Sequence, residues 1–270
     1  MKNIFNLILI LGIFSSCAHL SDQKYFFEIE NQEGEIERSS IDIKRETLFF
    51  EDEELSHKSE RKLHLKIASR VVRYESNGSF WVENTTYEKE GQEVLHALGY
   101  PELHEKMLFK MNASGEVEDV KGHDADSIFY LPPVLLPKRS VKINDTWEEN
   151  FTWKAQGQPF HINTKITCRL VGAEDWDGRE VFRINLQSVS RFSKQMKDIA
   201  YENKSEGYFL WDPAMSTVLF SESKATDEIK FLADGKVSKT HTQFTSRYLS
   251  NGASGGDLQK SKAQIPQKEE

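Results

Sequence analysis

From Tyr25 onward the apolar positions recur with a period of two, the spacing of a strand that buries one face and wets the other. Leu63, Leu65, Ile67 and Val71 fall on one side of such a strand, with His64, Lys66 and Arg70 on the other. Phe26 to Glu30, Ile36 to Phe50 and Phe80 to Tyr87 predict further strands, with Asn77-Gly78 as a hairpin turn before the last. Gln92 to Gly99 breaks the rhythm. Val94, Leu95 and Leu98 share a helical face, and Gly99 with Pro101 supplies the stop, which predicts a short helix. Met107 to Met111 then turns at Asn112-Ala113-Ser114-Gly115 into Glu116 to Val120, and a second short helix is expected over Asp124 to Tyr130.

The stretch Leu131 to Trp147 interrupts this pattern. Pro132, Pro133 and Pro137 fix φ and remove backbone donors, so neither a helix nor a central strand passes through. Leu131, Val134, Leu135 and Leu136 are apolar, which a solvated linker does not need, so the connector is expected to lie packed on the body of the protein. Beyond it Ile162, Thr164, Ile166, Cys168 and Leu170 share one face of a strand, and Asp177-Gly178 turns it into Val181 to Phe192. Tyr208 to Asp212, Thr217 to Phe220, Ile229 to Leu232 and Val237 to Tyr248 supply the rest, with Asp234-Gly235 as a second hairpin turn. Phe109 to Val117 and Phe209 to Val218 echo one another as strand, tight turn and strand. The expected fold is all-β: two antiparallel curved-sheet halves, 25–130 and 141–249, joined by a proline-rich connector at 131–140, with one or two short helices.

Both ends depart from the alternation. Residues 1–16 carry Lys2, an apolar run from Ile4 to Phe14 and then Ser15-Ser16, too short to span a bilayer and shaped as a secretory signal. Small residues directly before Cys17 predict a lipoprotein acylated at that cysteine, with 17–24 as a lipidated tether. Residues 250–270 are Gly, Ser, Gln and Lys with almost no apolar content, a composition expected to stay disordered.

Charge and cysteine usage narrow the partners. The chain has a net charge of -8 and no basic stripe, which argues against nucleic acid and against electrostatic capture of anionic head groups. With Cys17 claimed by lipid, Cys168 has no intramolecular disulfide partner, and a chain this long does not need one. His123-Asp124-Ala125-Asp126 is the best metal-like cluster, yet no second group at helical spacing joins it, and Asp124 reads more simply as a helix N-cap. Glu51-Asp52-Glu53-Glu54 lacks the glycine turn of a calcium loop and reads as a solvated acidic turn. There is no G-x-S-x-G elbow, and Cys168 sits at an inward position as a small apolar filler. His161 and His241 are tied to no serine or carboxylate by spacing. No catalytic residue, metal site or cofactor is assigned. Aromatic content remains: Trp147 and Trp153 share parity in one expected strand and are the candidate wall residues of an apolar cleft.

Val141-Lys142-Ile143-Asn144-Asp145-Thr146-Trp147 resembles the V-K-V-G-D-S/T-W strand opening that follows a leucine-proline segment in several families of bacterial secreted proteins and lipoproteins. The resemblance implies a β-rich fold and no particular reaction. Asn144 stands where that pattern has Gly, and Asn is the residue that best tolerates the left-handed turn required there. Ala18 after the cysteine, in place of Asp, resembles lipoproteins sorted to the outer membrane. The whole is similar, at the level of fold, to periplasmic lipoprotein carriers. The expectation is therefore an outer-membrane lipoprotein facing the periplasm, held by N-terminal acyl chains and binding or carrying an apolar ligand. The alternative is a structural component that docks an envelope protein on a strand edge, and a hydrolase comes third.

Overall fold

The computed structural model describes residues 23–154 and 158–249. The signal, Cys17 and the 250–270 tail lie outside the described residues. The strands are β1 (Ile36–Glu51), β2 (Glu54–Tyr74), β3 (Phe80–Glu90), β4 (Lys106–Met111), β5 (Val117–Val120), β6 (Thr146–Lys154), β7 (His161–Trp176), β8 (Arg179–Phe192), β9 (Ile199–Asp212), β10 (Thr217–Phe231) and β11 (Val237–Leu249). All are antiparallel, in one open sheet of eleven strands ordered β5-β4-β3-β2-β1-β11-β10-β9-β8-β7-β6. Residues on both sides of the proline connector thus enter a single sheet, sewn at its middle by β1 against β11 from Arg38↔Leu249 to Phe50↔Val237.

The sheet is strongly curled. Laid flat, eleven strands at the usual spacing would hold the two edge strands about 48 Å apart. Instead one short 3₁₀ turn, Ile128–Tyr130, and the residues just before it reach both edges. Val120 N at the end of β5 donates to Tyr130 Oη at 3.1 Å, and Lys154 N at the end of β6 donates to Asp126 O at 2.5 Å. At Gly207 in β9, an added Cβ would sit on the Glu222 carbonyl oxygen and 2.6 Å from Ser223 Cβ, so only glycine lets β10 close this tightly on β9.

Side chains of the inner face form the core. Cys168, Leu170, Phe182, Ile184, Phe209 and Trp211 pack against Phe27 and against Leu135, Leu136 and Val141 of the connector. Val71, Phe80, Val82, Met107, Phe109, Met111 and Val120 pack against Phe129, with Ile29 touching both groups. Ile41, Ile43, Leu63, Leu65 and Ile67 are covered by Leu95, Leu98 and Tyr100. The chain's own loops therefore fill one end of the hollow, and the connector packs as its apolar content requires.

Several expected elements take a different form. Phe26 to Glu30 alternates as a strand does, with Phe27 buried and Phe26 57% exposed, but it lies inside the curl, where loops and not a strand edge meet it. Tyr25 pairs with Val141, and Ile29 N donates to Ala113 O at 2.8 Å. The helix expected over 92–99 shrinks to the 3₁₀ turn Leu95–Leu98, stopped as expected by Gly99 at φ 81°. That expected over 124–130 shrinks to Ile128–Tyr130, and Asp124 caps nothing with its side chain because Ser127 is the N-cap. Val141 to Asp145 is a turn and not a strand opening; Asn144 takes φ 72°, the left-handed conformation its place demands, and β6 starts at Thr146. The separate strands expected at Thr217 and Ile229 are one strand, β10.

Candidate functional site

Beyond the filled end, the central strands run on and their inner face changes character. Cross-strand register aligns Trp153, Ile162 and Phe192 in one row, and Tyr201, Ile229, Ser238 and Phe49 continue it. None of these residues joins the apolar clusters of the core. Phe192 lies 4.7 Å from Phe160 and 5.4 Å from Tyr201, ring to ring, and Phe49 is 40% exposed. This row is an aromatic rim.

Between rim and core run two mostly polar rows. Thr164, Ser190, Asn203, Asp227, Thr240 and Thr47 make the outer one; Ser188, Ser205, Ala225, Thr242 and Arg45 make the inner one. Most are bonded to one another. Thr164 Oγ1 is 2.8 Å from Ser190 Oγ, Ser188 Oγ 2.8 Å from Ser205 Oγ, and Thr47 Oγ1 3.0 Å from Thr240 Oγ1. Asp227 Oδ1 accepts from Tyr201 Oη at 3.1 Å and Asn203 Nδ2 at 2.9 Å. Burial, then the adjacent Asp227 charge, push the Tyr201 phenol above its ordinary pKa, so it stays a donor. The concave face thus carries a hydrogen-bonded polar strip between the apolar core and the aromatic row.

Trp147 and Trp153 share this inner face, as their spacing indicated. Trp147 is a strut of the filled end, packed on the core cluster, and its Nε1 donates to Leu135 O at 3.0 Å. Trp153 stands in the open part, and its Nε1 donates to Thr164 Oγ1 at 2.8 Å. Apart from Thr164, the polar rows were not legible in the sequence, because serine and threonine at inward positions erase the hydropathy alternation. The parity of Phe182, Ile184 and Leu186, carried forward along β8 to Ser188 and Ser190, is the signal that finds them.

The other candidates do not converge. Cys168 is fully buried, and desolvation pushes its thiol up to about 12; such a thiol is inert. His161 Nε2 meets Asp126 Oδ2 at 2.8 Å, and His241 Nδ1 is 3.1 Å from Thr226 Oγ1 on the outer face. His123 packs on Phe129 and faces His96. Glu51 to Glu54 is the exposed turn between β1 and β2. Among the described residues no group of three His, Cys, Asp or Glu side chains is placed to hold a metal ion. The outer face carries a shallow groove of about 490 Å³ lined by Arg169, Arg183, Glu206, Tyr208, Glu222 and Lys224, where Arg183 lies 3.6 Å over the Tyr208 ring.

No protein-family model matches the chain, and no curated protein matches it. Among solved structures, a chain described as "lipid-protein interactions in lipovitellin" is similar, with a TM-score of 0.46 and 10% identity. The similarity covers 84% of this chain and 26% of that one.

Proposed function

We propose that the protein is a non-enzymatic binding or carrier module that takes an apolar or amphipathic ligand into the open end of its curled sheet. The observation that carries this reading is the aromatic row from Trp153 to Phe49, left outside the core on a concave face. In that row Phe49 is exposed, Trp153, Phe192, Tyr201 and Ile229 are half-buried, and Ile162 and Ser238 are buried; aromatic side chains left partly open along one rim mark a binding surface more than a monomer's ordinary scatter does. Phe231 and Leu232, exposed by 40% and 55%, add to it at the neighbouring hairpin tip. The Ser15-Ser16-Cys17 sequence supports the further reading that the module is held by acyl chains to the outer membrane and faces the periplasm.

Titration of the delipidated protein with fluorescent acyl lipids tests the reading. Micromolar binding, lost on replacing Phe49 and Trp153 together by serine in a protein that stays folded, is the expected result. Failure to bind any of a broad lipid panel overturns it. In that case β6, an edge strand of the sheet among the described residues, favours docking of a partner strand.

A further inference from the structure

Arg45 of β1 stands directly opposite Arg61 of β2, on the concave face of the sheet. Like charges placed opposite one another across a ladder repel. Arg61 has a carboxylate, Glu93, at 3.6 Å. Among the described residues Arg45 has none. Its Nε is buried with no hydrogen-bond partner, and so is Oγ1 of Thr242, its neighbour on the other side across β11. A buried guanidinium N–H left unbonded beside a second arginine is costly unless something supplies acceptors. The comparison pair on the outer face, Lys44 and Lys62, is exposed, so water screens it. Arg45 differs in that its Nε is shut away from solvent, although Arg61 opposite it is 69% exposed, in a protein whose net charge is -8.

We propose that Arg45, with Thr242 beside it, is the receiving site for the oxyanion head of an amphiphile, a carboxylate or phosphate whose apolar chain lies along the aromatic rim. The inference rests on the reading of the concave face as the binding surface. The guanidinium fork suits a planar carboxylate or two phosphate oxygens, and the Thr242 hydroxyl donates a further bond. Phe49 lies on the same face of β1 as Arg45, four residues further on, about 13 Å at strand rise, so a head held at Arg45 leaves its chain over the rim.

The test is binding of cis-parinaric acid and of its methyl ester to the delipidated full chain and to Arg45→Gln. The acid is expected to bind at least tenfold more tightly than the ester. Arg45→Gln should weaken the acid about tenfold and leave the ester unchanged, while raising the melting temperature of the ligand-free protein by relieving the repulsion at Arg61. An arginine with a merely structural role would lower that temperature. Equal binding of acid and ester, unaffected by the substitution, overturns the oxyanion site and leaves the concave-face reading standing. Binding of neither probe overturns both. Competition by inorganic phosphate at the acid's own concentration shows a free-anion site and overturns the amphiphile assignment.

Discussion

Trp153 Nε1 donates to Thr164 Oγ1 at 2.8 Å, and that hydroxyl lies 2.8 Å from Ser190 Oγ, so one indole anchors the β6 edge to a polar chain running two strands inward. Trp153→Phe keeps the ring and removes the donor. The loss is expected to be about 1 kcal/mol, the net value of one such bond, read as a shift in denaturant midpoint at unchanged slope. A neutral effect would mean that the bond is not made in solution.

Gly207 sets the tightest part of the curl. Gly207→Ala must push its methyl into the Glu222 carbonyl and the Ser223 backbone, neither of which is the free end of a flexible side chain. Destabilisation of about 3 kcal/mol or more is expected from overpacking against backbone, and chemical denaturation measures it. An alanine variant as stable as the wild type would show that β9 and β10 lie further apart.

The sequence made much of this architecture legible, and what it hid has physical reasons. Strands declared themselves where inward positions were apolar, as at Leu63, Leu65 and Ile67, and turns where Asp177-Gly178 and Asp234-Gly235 join the expected hairpins. Ile199 to Gly207 and Ser221 to Glu228 belong to long strands but passed unread, because their inward residues are Asn203, Ser205, Ser223 and Asp227. Phe26 to Glu30 has a strand's alternation yet is a plug, since burial of Phe27 fixes only which side chains turn inward and not what the backbone pairs with. The partnership of β1 with β11 spans nearly the whole chain, and no local signal encodes it. Cys168 and the shared face of Trp147 and Trp153 were readable from parity alone. Arg45 was not, because its significance lies in having Arg61 opposite and no carboxylate near.

Cys168 gives a check on the filled end. With the thiol fully buried and its pKa pushed up to about 12, maleimide at pH 8 should label it only on unfolding. Cys168→Ala should cost about 1 kcal/mol, and Cys168→Asp at least about 3 kcal/mol, because it buries an unpaired carboxylate. Rapid labelling of the native protein would place this face in water.

The clasp that joins the two sheet edges should be sensitive to acid. Burial against Phe129, whose ring is 4.4 Å away, and then the nearby His96 lower the His123 pKa below 6.5, although Glu105 and Asp124 pull the other way. The folded state therefore resists protonation while the unfolded chain accepts it. The stability this contributes is complete above pH 6.5 and is lost as pH falls through the lowered folded value. Denaturant midpoints compared between pH 7 and pH 5.5 should fall in the wild type and fall less in His123→Gln; identical pH profiles would remove His123 from the account.

The central claim is that ligand enters the open end of the curl, and fluorescence quenching by a dibrominated fatty acid tests it most directly, because bromine quenches indole only at contact. The protein has five tryptophans, and Trp153 is the one placed on the rim. Saturable quenching of the wild type is expected, largely abolished in Trp153→Phe and retained in Trp147→Phe. Quenching that survives Trp153→Phe undiminished, or no quenching of the wild type at saturating lipid, would contradict it.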